Sequence, residues 1–133
     1  MQEIRPDQIE CWGISYDALL GSMDVTILIE THTQSSCEGD SWYLLQNSAG
    51  DCGFLVFGWG SCPGCDAAEA VENAEEATQL RDTLWRSIRW HATGAEMHAW
   101  LASFDWGSQY FGGDKTFTER FLPAALAYTA KEI

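Results

Sequence analysis

The stretch Asp51 to Glu69, DCGFLVFGWGSCPGCDAAE, constrains the fold more than any other in the chain. Phe54 to Phe57 is a run of four large apolar residues between Gly53 and Gly58. It is too short for a helix and reads as a strand buried on at least one face, central in its sheet. Cys62-Pro63-Gly64-Cys65 then fits a four-residue turn, because proline presets φ at the second position and glycine tolerates a positive φ at the third. Such a turn holds its end Cα atoms within about 7 Å, close enough for two sulfurs to share a disulfide or a soft metal. Asp66 is placed to cap a following helix, with Glu69 three residues on, and both carboxylates suit the positive end of a helix dipole.

Around this stretch the periodicities divide the chain into strands first and helices after. Val25, Ile27 and Ile29 alternate with Thr26, Leu28 and Glu30, which predicts a strand with one face in the core. Thr31 to Asp40 reads as a loop, Trp42 to Gln46 as a second strand, and Asn47 to Asp51 as the turn of a hairpin. A short helix is expected over Ser15 to Leu20. From Ala67 to about Trp90 the pattern is helical: Ala70, Ala74, Ala77, Leu84 and Ile88 share one arc, with Glu72, Glu75, Glu76 and Arg86 opposite. Thr93 with Glu96, and Thr116 with Glu119, have the spacing of capping boxes for two later helices, the second kinked or started by Pro123. The expected architecture is a single α+β domain over residues 1–133. Its core is an antiparallel meander of three or more strands packed against the long helix, with two further C-terminal helices.

The chain has 133 residues, 46% of them hydrophobic, which is enough for a substantial core. Its 20 acids against 7 Lys and Arg give a net charge of -13. No basic stripe exists to neutralise a phosphate backbone, so direct nucleic-acid binding is not expected. MQEIRPDQIE lacks the pattern of a secretory signal and no run approaches a membrane span, so a soluble, cytoplasmic protein is expected. In that compartment an odd count of five cysteines argues for reduced thiols, most of them inert and buried.

Strand, tryptophan, C-x-x-C and helix together resemble the active-site segment of thioredoxins, with Cys62 attacking and Cys65 resolving. The order of elements and the acidic flank at Asp66 count against it, since nearby negative charge raises a thiol pKa. A structural zinc site is the other reading, and the only cofactor expectation is that zinc fits this turn. An extended Gly53 to Trp59 would put Cys52 about 20 Å from it at roughly 3.3 Å per residue. Antiparallel pairing brings Cys37 beside Cys62 instead. Cys37, Cys62 and Cys65 would then converge, with Asp40, Asp66 or His91 as a fourth ligand; three packed thiols are the simpler alternative. Glu69, Glu72 and Glu76 form the most regular row of charges, expected on one helical face about a turn apart. Trp106 and Tyr110, in a glycine-containing loop, are candidates for an exposed aromatic contact patch. No catalytic constellation is present: the three histidines are scattered, and Ser61 lacks the glycine spacing of a nucleophile elbow.

The run GFLVFGWGSCPGCDA, preceded by EGDSWYLL and followed by FDWGSQY, resembles a family of small acidic proteins encoded by actinobacterial phages and prophages. The marks are Gly60, Ser61, Cys62, Gly64, Cys65 and Asp66, with Pro63 where the family motif has serine. The resemblance implies a phage-type origin and a setting in the cytoplasm of an infected cell, and carries over no catalytic residue. Two functions are therefore expected in competition. One is a non-enzymatic accessory protein that binds a host or defence protein through its acidic surface. The other is a thiol or zinc protein centred on Cys62 and Cys65.

Overall fold

Alternation along two paired strands decides the architecture. In the computed structural model, which describes residues 1–35, 37–60 and 66–131, β2 (Glu38–Asn47) and β3 (Cys52–Gly60) pair antiparallel without a slip from Gln46 opposite Cys52 to Glu38 opposite Gly60. Both strands are apolar at odd and even positions alike, so each must be covered on both faces. Trp42, Leu44 and Phe54 point one way, Tyr43, Leu45, Leu55 and Phe57 the other, and all seven are buried. The turn between them is fixed by the Asn47 side chain, whose Oδ1 accepts from the Ala49 and Asp51 N–H groups, and by Gly50 at φ +89.

Two helical layers supply the two covers. The first holds the N-terminal segment, α1 (Tyr16–Gly21) and α2 (Ala74–Ser87), whose Leu19, Leu20, Ala77 and Leu84 meet Tyr43, Leu45, Leu55 and Phe57. The second holds α3 (Gly94–Ser103) and α4 (Leu122–Lys131), the latter preceded by a π-helical turn over Thr116–Phe121. Here Met97, Leu101, Phe117, Phe121 and Ala125 close over Trp42, Leu44 and Phe54. β1 (Val25–His32) and β4 (Arg89–His91) flank the hairpin in the order β1-β2-β3-β4, antiparallel throughout. The fold is α+β, with the meander lying between helices on both sides.

Several boundaries differ from those the sequence predicts, each for a local reason. The long helix does not begin at Ala67. Residues 67–70 form a turn, and α2 starts only after Asn73, whose side chain accepts the Glu76 N–H at 2.9 Å. At its other end the chain breaks into β4, because Gly53 leaves room on β3 for Ile88 and Trp90; a Cβ there would lie 2.7 Å from both. Arg81, buried on α2, donates to the Gln2 carbonyl at 2.7 Å, tying down the N-terminus. A bulge in β1 between Ile27 and Ile29 breaks the alternation. Ile27 is exposed, whereas Leu28 and Ile29 pack on the second layer. The loop expected over 31–40 is shorter, since β1 runs to His32 and β2 opens at Glu38. Thr93 caps α3 as predicted, accepting from the Glu96 N–H. Thr116 is not a cap but the first residue of the π-helical turn, and its own N–H donates to the Asp114 side chain. The π-helical turn, in which the Leu122 N–H reaches the Phe117 carbonyl, places Pro123 at the start of α4 where its missing N–H costs little.

Candidate functional site

The register assigns ends. Cys52, on β3, faces Gln46 on one side and His91 on the other, whereas Gly60 at the opposite end of β3 faces Glu38, the neighbour of exposed Cys37. Cys52 and Gly60 therefore lie at opposite ends of β3. His91 belongs to β4, where it pairs with Cys52 at the end of β3 opposite Gly60. Cys62 and Cys65 lie outside the described residues. The residues that bracket them are joined: the Gly60 N–H donates to Asp66 Oδ2 at 2.9 Å.

Asp66 is buried, and both of its oxygens are engaged. Oδ1 accepts from the Tyr16 hydroxyl at 2.8 Å and from the Ala68 N–H at 2.9 Å. It caps one turn in place of a helix, and it clamps α1 to the end of β3. Burial and the Asp66 carboxylate raise the Tyr16 hydroxyl above the ordinary tyrosine pKa, so this proton stays in the bond at neutral pH.

Three adjoining hollows curve around this end of the sheet. The first, about 550 Å³, lies beside Trp59 with Glu38, Asp40 and Asp114 on its wall, and the Tyr110 hydroxyl donates to Asp40 Oδ1 at 2.8 Å. The second, about 300 Å³, shares Trp59 and runs past His32 and Asp17 to Tyr16. The third, about 260 Å³, shares Ser15 and Tyr16 and is lined by Glu10, Trp12, Asp66 and Glu69. Among the described residues the ion pairs are the N-terminus with Asp24, Arg5 with Asp7, His32 with Glu30 and Arg81 with Asp82. None of these engages a carboxylate of the hollows. The row is thus acidic and interleaved with aromatic rings, and among the described residues none of its carboxylates is held in an ion pair.

The third hollow owes its shape to a tight turn. Glu10 and Gly13 exchange backbone hydrogen bonds at 2.7 and 3.1 Å, leaving Cys11 and Trp12 at the tip. Gly13 sits at φ +86 with its α-carbon face against Ala68, whose carbonyl accepts the Ile14 N–H at 3.0 Å. A side chain at Gly13 would collide with that carbonyl, so glycine is required by both conformation and space. The turn holds Trp12 out in solvent, 70% exposed.

The predicted acidic row is not one helical face. Glu69 lies in the turn after Asp66, Glu72 lies in the loop before α2 with its N–H donating to Glu76 Oε1, and only Glu76 is helical. The late start of α2 separates them. Trp106 is not exposed: its ring is packed into the second layer and its Nε1–H donates to the Leu101 carbonyl at 2.9 Å. Tyr110 is exposed, at 73%. The sequence reading missed Trp12 as an exposed residue, although Gly13 beside it is a turn signal. It also missed Glu38, two residues from Asp40 on β2, and Asp114, which no spacing could reveal across 74 positions. Among the described residues no helix is long and apolar enough to cross a membrane. Compared with protein-family models, curated proteins and solved structures, the chain has no significant match.

Proposed function

We propose that this chain acts by binding a protein partner of opposite charge, in the setting of a phage-infected cell that its Gly60 to Asp66 motif suggests. The observation that carries the reading is the row of hollows around the Gly60 end of the sheet. Glu10, Asp40, Asp114 and Glu69 stand there among exposed or half-exposed aromatic rings, and among the described residues none of the four is in an ion pair. Such a surface steers a basic partner by long-range attraction and gives it apolar area to settle on. It repels nucleic acid for the same reason.

The test compares two triple variants. One is Glu10→Gln, Asp40→Asn and Asp114→Asn in the row; the other is Glu72→Gln, Glu75→Gln and Glu119→Gln, exposed and elsewhere. Each would be used with the wild type to capture partners from a host lysate, and association rates would be measured on the recovered partner at low and raised salt. The row variant should lower the association rate by roughly tenfold at low salt, and raised salt should erase the difference. Recovery and rates that ignore both treatments would retire the reading.

A second reading has its own observation. The Gly60 to Asp66 hydrogen bond ties together the ends of the segment that contains Cys62 and Cys65, and Cys37 neighbours the residue opposite Gly60. This favours a thiol or structural zinc centre there. Native mass spectrometry with metal analysis separates it, since a zinc protein retains one equivalent of metal that Cys62→Ser removes.

A further inference from the structure

We propose that Ser41, His32 and Glu30 form an acyl-transfer site that hydrolyses small uncharged or cationic esters, an activity separate from the partner binding above. The hairpin register assembles it. His32 pairs with Ser41 and Glu30 with Tyr43 across β1 and β2, so the four side chains share the face of the sheet that carries the first layer. His32 Nδ1 lies 2.7 Å from Ser41 Oγ, and His32 Nε2 lies 3.5 Å from Glu30 Oε1. The ring is held edge-on to Tyr43, with centroids 5.7 Å apart. Strand pairing and not chain spacing brings a hydroxyl, an imidazole and a carboxylate into line.

The chemistry of the three groups sets the direction of the protons. An ionised carboxylate only accepts, so the imidazole nitrogen that faces Glu30, Nε2, carries the hydrogen. Nδ1 then presents a lone pair, and the contact at 2.7 Å is a hydrogen bond that Ser41 donates. In this tautomer an imidazole is a general base toward a hydroxyl, with the two ring nitrogens exchanged relative to the usual serine-histidine-acid arrangement. A cross-strand serine and histidine alone would leave the tautomer open; Glu30 closes it. The 3.5 Å contact is long at rest and tightens as the imidazole gains charge.

The surroundings suit a small ester. Ser41 and His32 line the second hollow, about 300 Å³, with the rings of Tyr16, Tyr43 and Trp59 and the Asp17 side chain around them. That volume is the lower end of the roughly 300–1,000 Å³ of small-molecule sites. Tyr16 and Tyr43 are fixed walls, stacked on Phe57 at 4.3 and 5.6 Å. Ser41 is 3% exposed, so bulk water is kept from its hydroxyl while the hollow reaches it. Asp17 and Glu30 repel an anionic substrate and tolerate a cationic one. The Tyr43 hydroxyl interacts with Ser41, and burial first, then Glu30 and Asp17, raise it above the ordinary tyrosine range. It therefore stays a donor at neutral pH, the group to meet charge on a carbonyl oxygen.

The reaction balances with water alone. Ser41 Oγ bonds to the carbonyl carbon as its proton passes to His32 Nδ1; the ester C–O bond breaks, and the alcohol leaves with that proton. Water then attacks the acyl carbon and gives a proton to Nδ1. The bond to Ser41 Oγ breaks, Oγ takes that proton back, and the carboxylic acid is released. Ser41 and His32 touch the reacting atoms and are the catalytic residues, while Glu30 acts through His32 as a positioning residue.

The test begins with the full chain and an alkyl fluorophosphonate, which phosphonylates activated serine hydroxyls with loss of fluoride, read by peptide mass spectrometry. One phosphonyl group is expected on Ser41 of the wild type, and none on Ser41 of His32→Gln. Turnover of p-nitrophenyl acetate supplies the second readout. His32→Gln should lower the rate by roughly 100-fold. Ser41→Ala should lower it to the same floor, because the two residues act as a unit. Glu30→Gln should lower kcat by roughly tenfold and leave KM unchanged, a split that a lost structural contact does not produce; the effect is smaller than for a buried acid because Glu30 is exposed. A wild type that takes up no phosphonyl group at Ser41 would overturn the site. So would equal turnover by wild type and Ser41→Ala, or label on Ser41 that His32→Gln leaves undiminished, the mark of an ordinary serine.

Discussion

Asp66 holds more of this fold than its place beside a cysteine suggests. Its carboxylate joins three backbone or side-chain donors from α1, from the end of β3 and from the turn after itself, all in a buried setting. Asp66→Ala would strand the Gly60 N–H and the Tyr16 hydroxyl, and is expected to cost about 3 kcal/mol in a urea unfolding curve, since each buried orphan costs about 1–3 kcal/mol. Asp66→Asn keeps one acceptor and turns an N–H₂ toward remaining donors, so it should cost less than alanine and more than nothing. Alkaline titration gives a second readout. The folded-state pKa of Tyr16 is raised, so its contribution is fully present below the ordinary tyrosine value near 10 and is lost as pH rises through that value toward the folded one. Asp66→Asn should flatten that loss. Equal stability of wild type and both variants would show the clamp to be ornamental. The sequence displayed Asp66 as a cap, and it does accept an N–H two residues on. What no local pattern could display is Tyr16, 50 positions away, as the partner that makes the residue a clamp.

β2 is the element on which both layers depend, because its consecutive residues serve separate cores. Leu44 packs with Met97, Phe117 and Phe121; Leu45 packs with Leu19, Ala77 and Leu84. Leu44→Ala and Leu45→Ala should each cost about 2–5 kcal/mol. Although adjacent in sequence they should add to within about 0.5 kcal/mol in the double variant, since they share no side-chain neighbours. Leu44→Ala with Phe54→Ala, opposite one another on the same face, should fall short of additive because the two cavities merge. Strong coupling between Leu44 and Leu45 would mean that the sheet transmits strain between layers and the two clusters are not independent. The hairpin itself was legible in the sequence, down to the Asn47 to Asp51 turn, since a continuous apolar run bounded by glycines has few other solutions. That the run needs a helical layer on each face followed from the same apolarity, yet only one cover was expected, because three helices of modest amphipathicity do not announce which face they serve. The ends of α2 were misread for a different reason. Ala67 to Ala70 has the composition of a helix, and only Asp66, held back by its bonds to β3 and α1, keeps it as a turn. At the far end, β4 depends on the space that Gly53 leaves for Trp90, a fact of packing that periodicity does not carry.

For the whole molecule the net charge of -13 is a destabilising field as well as a docking device. Seven Lys and Arg cannot balance 20 acids, and none of the described ion pairs engages a carboxylate of the hollows at the Gly60 end, so the carboxylates there repel one another across solvent. That repulsion is greatest at low ionic strength, where the screening length is about 30 Å at 0.01 M, and is largely removed at 1 M, where it is about 3 Å. The folded state concentrates these charges more than the unfolded chain does, and so gains more from screening. The thermal midpoint should therefore rise as NaCl is raised from about 0.01 to 1 M. Most of the rise should come below about 0.15 M, where the screening length has already shrunk to about 8 Å. Salt can also strengthen apolar burial, but that effect grows with concentration without saturating, and sucrose, which adds no charge, isolates the excluded-solute part. The variant carrying Glu10→Gln, Asp40→Asn and Asp114→Asn separates the causes further. It should start with a higher midpoint at low salt and show a shallower slope, because three members of the repelling set are gone. An equal slope in variant and wild type would place the repulsion elsewhere on the surface. A flat response in both would mean that these carboxylates are spaced widely enough for water alone to screen them, and the row would then lose its claim to steer a basic partner over any distance.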